Sequence, residues 1–179
     1  MTDSNPISAI TMDAVPDTPD VPSLDLLRQL QGFSGEFNWL ATRTRTDLSY
    51  PVSLLASASS KQSKWSFELA KKILRFLQGT KRQGITISCT GSEDSLVSYT
   101  DAGYAGKDTR SQSGLVIVFG GSIIVWRSCR QTVSALSTAE AELHAAVLGW
   151  AITEGLRQLL MDFGIDVPTI YLMIDNAAA

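Results

Sequence analysis

The feature that most constrains the fold is a change in sequence period near residue 84. Before that point apolar residues recur at helical spacing, whereas after it they gather in short β-branched and aromatic segments separated by turn-forming loops. These segments predict an antiparallel meander, and they read GITISC, SLVSYTD, GLVIVFGG and SIIVWRSCRQTVS. The chain must therefore build a sheet as well as helices.

A long helix and one more strand follow the meander. The segment STAEAELHAAVLGWAITEGLRQLLMDFG is apolar at helical spacing and ends at Gly164, and the apolar stretch PTIYLMID comes next. Because a helix separates this last strand from the others, the strand can lie parallel to them, as a crossover requires. The sequence predicts an α/β fold whose mixed sheet combines an antiparallel meander, a long crossover helix and a parallel fourth strand.

The part of the chain before the sheet predicts three helices. A first helix, continuous or broken near its glycines, follows the N-cap candidate Ser23. A short second helix has Thr46 and Asp47 as cap candidates. The clearest amphipathic helix is KWSFELAKKILRFLQGT, which ends at Gly79.

Composition and charge divide the chain into three parts. Residues 1–23 are rich in Pro, Asp, Ser and Thr and contain no Lys or Arg, so they predict a disordered acidic tail. Residues 24–84, the helical segment, hold ten basic against four acidic residues, and residues 85–179, the α/β domain, hold five against ten. This pattern suits a surface that meets a polyanion beside a site that holds cations. A solvated helix surface also explains the bases, and composition alone favours it.

Several protein classes are excluded by what the sequence lacks. Cys89 and Cys129 lie far apart, and with His144 as the single histidine they provide no zinc-ligand spacing and no Cys/His nucleophile pair. No run reaches the roughly 18 apolar residues of a membrane helix, and the N-terminus is acidic where a secretory signal would be basic and then apolar. We therefore expect a soluble, intracellular protein without a membrane partner.

Three acids occupy positions at which an open α/β sheet binds ligands. Asp101 comes after the apolar residues of SLVSYTD, Asp175 ends PTIYLMID, and Glu142 lies in the first turns of the long helix. Hard oxygen ligands of this kind suit Mg²⁺ or Mn²⁺. The alternatives are structural, since Asp101 could open a turn and Asp175 could cap a helix. Glu140 already has a structural explanation, because it forms a capping box with Ser137.

The motifs of the chain resemble those of one known family. YTDAGYAG, RSQSG, LSTAEAEL and IDNAA are similar to the ribonuclease H domain of Ty1/copia-type retrotransposon polyproteins, and TRTRTDLSY with ILRFLQGT is similar to the segment that joins reverse transcriptase to that domain. The resemblance covers roughly residues 26–178 with the motifs in the same order. It implies a ribonuclease H-like fold that cuts the RNA strand of an RNA–DNA hybrid.

The resemblance also implies roles for individual residues. Asp101, Glu142 and Asp175 would be the catalytic residues and would hold two Mg²⁺ (or Mn²⁺) ions. The partners would be an RNA–DNA hybrid and a reverse transcriptase domain. Contacts to the hybrid would go to phosphates and 2′-hydroxyls rather than to base edges. Arg127, Ser128, Arg130 and Gln131 match a basic-polar stretch of the family, and Gln112 and Ser113 lie in the loop after the predicted metal-binding strand. Together with Asn176 they are the candidate contacts to the hybrid, and solvated residues at the edge of the sheet explain them equally well.

The sequence departs from the family pattern in two ways. The family continues to a fourth acidic metal ligand, to which no residue here corresponds, so we keep a second hypothesis: a truncated or domesticated remnant that binds nucleic acid or protein without cleaving. The chain also lacks the Tyr-x-Asp-Asp motif of a polymerase, which excludes DNA synthesis, and it lacks the zinc-binding residues expected of an integrase.

Overall fold

The computed structural model describes residues 23–61, 63–88, 95–106 and 110–175. The chain divides into two compact units with the boundary between Gly84 and Ile85. The disordered tail predicted for residues 1–23 lies almost entirely outside the described residues. Within the described ranges, no helix combines the length and the apolar character needed to cross a membrane.

The first unit is built from three α-helices, α1 (Leu24–Arg43), α2 (Ser49–Ala58) and α3 (Ser63–Gly79), with a short 3-10 helix, Thr46–Leu48, before α2. Helix α1 is continuous, and Ser23 caps it as predicted, because its Oγ accepts a hydrogen bond from the backbone N–H of Leu26 at 3.2 Å. The three helices bury one apolar core between them, which includes Leu30, Phe37, Leu48, Val52, Leu55, Leu69 and Ile73.

A buried arginine fixes the corner between α1 and α2. Arg45 is only 5% exposed. Its guanidinium donates to both carboxylate oxygens of Asp47, at 2.9 and 2.7 Å, and to the carbonyl and hydroxyl oxygens of Thr80, at 3.1 and 2.8 Å. The prediction that Thr46 or Asp47 caps α2 is therefore wrong. Leu48 is the N-cap residue and makes no side-chain bond, because the Asp47 carboxylate is taken up by Arg45.

The second unit is a four-stranded mixed sheet with one long helix. Its elements are β1 (Ser95–Gly103), β2 (Gln112–Phe119), β3 (Ser122–Arg130), α4 (Thr138–Asp162) and β4 (Thr169–Ile174). The strand order is β3-β2-β1-β4, where β1 pairs antiparallel with β2 and parallel with β4. The meander, the crossover helix and the parallel fourth strand are confirmed, and with them the ribonuclease H-like fold class.

Two strand predictions need correction. Residues 85–88 of the predicted strand GITISC form no strand, and Ser88 instead exchanges two 3.0 Å hydrogen bonds with the hydroxyl of Ser122. Strand β1 also continues past Asp101 to Gly103, because its ladder with β2 runs on to the Gly103–Gln112 pair.

Helix α4 packs on one face of the sheet. The buried side chains of Leu96, Leu115 and Ile117 meet the apolar residues Leu148, Ile152 and Leu156 of the helix. Helix and sheet are in close contact at Gly149, where an added Cβ would lie 2.3 Å from Cγ2 of Thr100. A helix that is fixed this closely against β1 also fixes the residues in its first turns.

Candidate metal centre and nucleic-acid interface

Glu142 is held at the start of α4, close to strand β1. The helix begins as predicted, because the Oγ of Ser137 accepts a hydrogen bond from the N–H of Glu140 at 3.1 Å. The Glu142 side chain is 8% exposed, and its Oε1 accepts a hydrogen bond from the backbone N–H of Ala102 at 3.3 Å. Its Oε2 is buried and has no hydrogen-bond partner among the described residues. A buried carboxylate oxygen is costly unless a cation or a hydrogen-bond donor compensates it.

Asp101 and Asp175 lie at matching levels of two neighbouring strands. The last register pair of β1 and β4 joins Thr100 to Ile174, so each aspartate is the next residue beyond that pair. Both side chains are exposed. Strand alternation places Asp101 on the face of Tyr99, opposite the face that Thr100 presents to α4.

The three acids interact electrostatically. Burial raises the pKa of Glu142 above its usual value, the hydrogen bond from the N–H of Ala102 opposes this, and the negative charges of Asp101 and Asp175 raise the pKa further. Both aspartates therefore lie near enough to Glu142 to disfavour its charged form. Carboxylates that interact in this way are typical of sites that hold a cation or exchange a proton.

The donor set fits a hard divalent cation in its chemistry. All three side chains offer carboxylate oxygens, and one of these, Oε2 of Glu142, is buried without a partner. Across the described ranges, no three acidic, histidine or cysteine side chains are gathered closely enough to hold a metal as they stand. Coordination by all three acids thus requires the exposed side chains of Asp101 and Asp175 to turn toward Glu142.

The residues predicted to contact a nucleic acid fall into two groups. The ladders place Ser128 level with Gly114 and Asp101, and they place Arg130 level with Gln112. These positions share the sheet face of Asp101, and Nε2 of Gln112 donates to Oγ of Ser128 at 2.9 Å. Gln112, Ser128 and Arg130 can therefore serve one surface together with Asp101.

The second group has a different role in the structure. Gln131 and Ser113 are 7% and 3% exposed, and Nε2 of Gln131 donates to Oγ of Ser113 at 3.0 Å and to the carbonyl of Ala141 at 2.8 Å. Both side chains are buried, and the amide nitrogen of Gln131 fastens the first turn of α4 to the sheet. Arg127 is exposed but lies on the other face by alternation, and Asn176 lies outside the described residues.

Two groups that position Glu142 could not be identified from the side-chain chemistry of the sequence. The N–H of Ala102 is the partner of Glu142, and it could be identified only from the level at which α4 meets β1. Gln131, a predicted contact to nucleic acid, also donates to the carbonyl of Ala141 on the helix that carries Glu142. In both cases the contact depends on the tertiary packing rather than on a local pattern.

Comparison with known proteins gives consistent matches. The chain is 31% identical over 147 residues to the retrovirus-related Pol polyprotein of transposon TNT 1-94 from Nicotiana tabacum, a match that covers 81% of this chain and 11% of that protein. It is 32% identical over 156 residues to the corresponding polyprotein of transposon RE1 from Arabidopsis thaliana, and this match covers 84% of this chain and 10% of that protein. The chain is also 34% identical over 113 residues to the secreted RxLR effector protein 161 from Plasmopara viticola, and this match covers 62% of this chain and 79% of that protein.

No protein-family model and no solved structure matches the chain. The chain spans about a tenth of the length of the two retrotransposon polyproteins. The agreement of these matches with the motifs and with the mixed sheet establishes the origin of the sequence: the chain belongs to the family of Ty1/copia-type retrotransposon Pol polyproteins, of which it corresponds to one segment.

Proposed function

We propose that the second unit is a ribonuclease H-type endonuclease domain that cleaves the RNA strand of RNA–DNA hybrids with divalent metal ions. The observation that carries the proposal is the environment of Glu142. Its carboxylate is buried, one oxygen has no partner among the described residues, and the negative charges of Asp101 and Asp175 act on it.

A purely structural explanation of these acids is weak. A buried carboxylate that serves packing or capping has its oxygens paired. Among the described residues, Glu142 accepts only one long hydrogen bond, and two further negative charges act on it. Such an arrangement lowers stability unless a cation compensates it. A site that costs stability in this way is expected where function requires it.

In this proposal, some residues bind the metal ions and others position the metal-binding carboxylate. Asp101, Glu142 and Asp175 would hold Mg²⁺ or Mn²⁺, and bound metal supplies an activated water and charge stabilisation at the leaving 3′ oxygen. The N–H of Ala102 orients the Glu142 carboxylate, and Gln131 holds the first turn of α4 in place. The helix holds the Glu142 carboxylate in place, and the side chains of Asp101 and Asp175 would turn toward it to complete the ligand set.

Substrate contacts would lie on the sheet face of Asp101. Arg130 offers a guanidinium for phosphate oxygens, and Gln112 and Ser128 offer amide and hydroxyl groups for 2′-hydroxyls. These groups contact features that every sequence of an RNA–DNA hybrid shares. The proposed activity is therefore independent of base sequence.

The test is cleavage of an end-labelled RNA strand annealed to DNA, with single-stranded RNA and an RNA duplex as control substrates, in Mg²⁺ and in EDTA. We expect Mg²⁺-dependent cleavage of the hybrid alone, and a loss of at least 100-fold in Asp101→Asn, Glu142→Gln and Asp175→Asn. The matched control is Asp162→Asn, an exposed acid at the other end of α4, which should cleave normally. Cleavage that survives Glu142→Gln would overturn the proposal.

A second candidate function is binding without cleavage. It is favoured by the separation of the three acids, which form no ready metal cluster in the described ranges, and by the bases of the first unit, where Arg75, Lys81 and Arg82 are exposed. Such binding would rest on phosphate contacts and would weaken steeply with salt. Hybrid binding in the wild-type chain, with no cleavage in Mg²⁺ or Mn²⁺, would select this function over the first.

A further inference from the structure

The buried stripe of α4 is made of small residues around Glu142. Apart from Glu142, the helix residues that are buried are Ala141, Ala145, Ala146, Gly149 and Thr153. Small residues on one stripe allow a helix to approach a sheet closely. The helix lies close against the sheet at Gly149, about two helical turns after Glu142 and on the same stripe.

The contact at Gly149 leaves no room for a side chain. A Cβ there would lie 2.3 Å from Cγ2 of Thr100 and 3.3 Å from Oγ of Ser98. Thr100 is 4% exposed, and its β-branched side chain is stiff at χ1. An alanine at position 149 must therefore push α4 away from β1, and the displacement needed to relieve this overlap is about 1 Å.

The same approach governs the position of Glu142. Thr100 is two residues before Ala102, whose N–H donates to Glu142 at 3.3 Å, already near the upper limit for such a bond. A movement of α4 away from β1 lengthens this bond beyond that limit. Helix α4 therefore links two contacts with β1. A change in the distance between Gly149 and Thr100 also changes the distance between Glu142 and Ala102.

We propose that Gly149 and Thr100 act as a spacing pair that positions the Glu142 carboxylate against strand β1. Gly149 is a positioning residue in this proposal, since it touches neither substrate nor metal. The consequence for catalysis rests on the proposed nuclease function, whereas the spacing itself can be measured without any activity.

The direct measurement is the hydrogen-exchange rate of the Ala102 backbone amide in ¹H–¹⁵N spectra of the full chain at one fixed pH. In the wild type this amide should be protected, because it donates to Oε1 of Glu142. Gly149→Ala should accelerate its exchange at least twofold more than it accelerates exchange at the amide of Ile117, a buried residue of β2 that reports opening of the sheet as a whole. The matched control is Gly155→Ala on the same helix, where an added Cβ meets nothing within 4 Å, and in this variant the Ala102 amide should exchange as in the wild type.

Removal of the opposing methyl group provides the decisive variant. Thr100→Ser deletes Cγ2 and should leave hydrogen exchange at Ala102 close to wild type by itself, while the double variant Gly149→Ala/Thr100→Ser should restore the protection that Gly149→Ala loses. If Gly149→Ala does not fold, the double variant must fold and protect the Ala102 amide as the wild type does. Unchanged exchange at Ala102 in Gly149→Ala, or a double variant that fails to recover, would overturn the spacing pair.

Cleavage assays extend the test to function. We expect turnover of the hybrid to fall roughly 10- to 100-fold in Gly149→Ala with little change in KM, because a ligand misplaced by about 1 Å affects the chemical step more than binding. The double variant should recover most of this loss. If the amide responds as expected but no variant cleaves, the spacing pair stands and the nuclease proposal fails.

Discussion

At the scale of single residues, Glu142 determines how the charge of the site couples to stability. Burial, together with Asp101 and Asp175, raises the pKa of its carboxyl in the folded protein above that in the unfolded chain. The folded protein therefore binds this proton more tightly. The resulting stability is fully present below the unfolded pKa and is lost as the pH rises through the raised, folded pKa.

The direction of this pH dependence of stability can be tested without a substrate. We expect Glu142→Gln to unfold at higher urea concentration than the wild type at pH 7 in metal-free buffer, and at nearly the same concentration at pH 4, because the amide still accepts from the N–H of Ala102 but carries no charge. Circular dichroism during urea titration measures both. The comparison variant is Glu154→Gln, since Arg157 and then Gln158 hold the pKa of Glu154 down at about 2 and its loss should not stabilise. A Glu142→Gln variant that is less stable than the wild type at pH 7 would contradict the assignment.

At the scale of elements, each unit has a buried polar residue that fastens one element to another. In the first unit, Arg45 joins the corner after α1 to Thr80 at the end of α3 and stacks its guanidinium 5.3 Å from the ring centre of Phe76. We expect Arg45→Met to destabilise this unit by about 2–4 kcal/mol, because it leaves Asp47 without its buried partner. The rate of hydrogen exchange at the backbone amide of Ile73, a buried residue of α3, measures this loss of stability.

The control for that variant is Arg28→Met, an exposed arginine on α1, for which the expected change is below about 0.5 kcal/mol. Equal exchange rates in the two variants would show that the Arg45 contacts contribute nothing to the unit.

In the second unit, Gln131 fastens the start of α4. Replacement by leucine removes the donor to the carbonyl of Ala141, so the first turns should open more often. We expect amide exchange over residues 141–145 to accelerate roughly 5- to 30-fold in Gln131→Leu, which corresponds to about 1–2 kcal/mol. Gln158→Leu, an exposed position on the same helix, should leave these rates unchanged, and acceleration of equal size there would remove the anchoring role.

Elements with a strong period were predictable from the sequence, and those that depend on tertiary contacts were not. Helix α4 and strands β1 to β4 follow from their apolar spacing and turn residues. Residues 85–88 have the β-branched composition of a strand but form none, since Ser88 is bonded to the Ser122 side chain. The cap of α2 was wrong because Arg45, close in sequence but buried by the rest of the unit, takes the Asp47 carboxylate.

At the scale of the whole molecule, the positions of the three acids were predictable but their geometry was not. Strand ends and helix starts located Asp101, Glu142 and Asp175 in the sequence. Their facing directions depend on strand register, which places Asp101 on the sheet face away from α4, and on the close packing at Gly149. Neither the strand register nor the distance between α4 and β1 can be predicted from the local sequence.

The pairing of β4 with β1 has a consequence for how the protein is made. Thr169 aligns with Ser95, so the ribosome must deliver almost the entire second unit before this ladder can close. Until then the nascent chain lacks the aspartate that follows β4. A site that uses Asp175 can therefore assemble only late in the synthesis of the second unit.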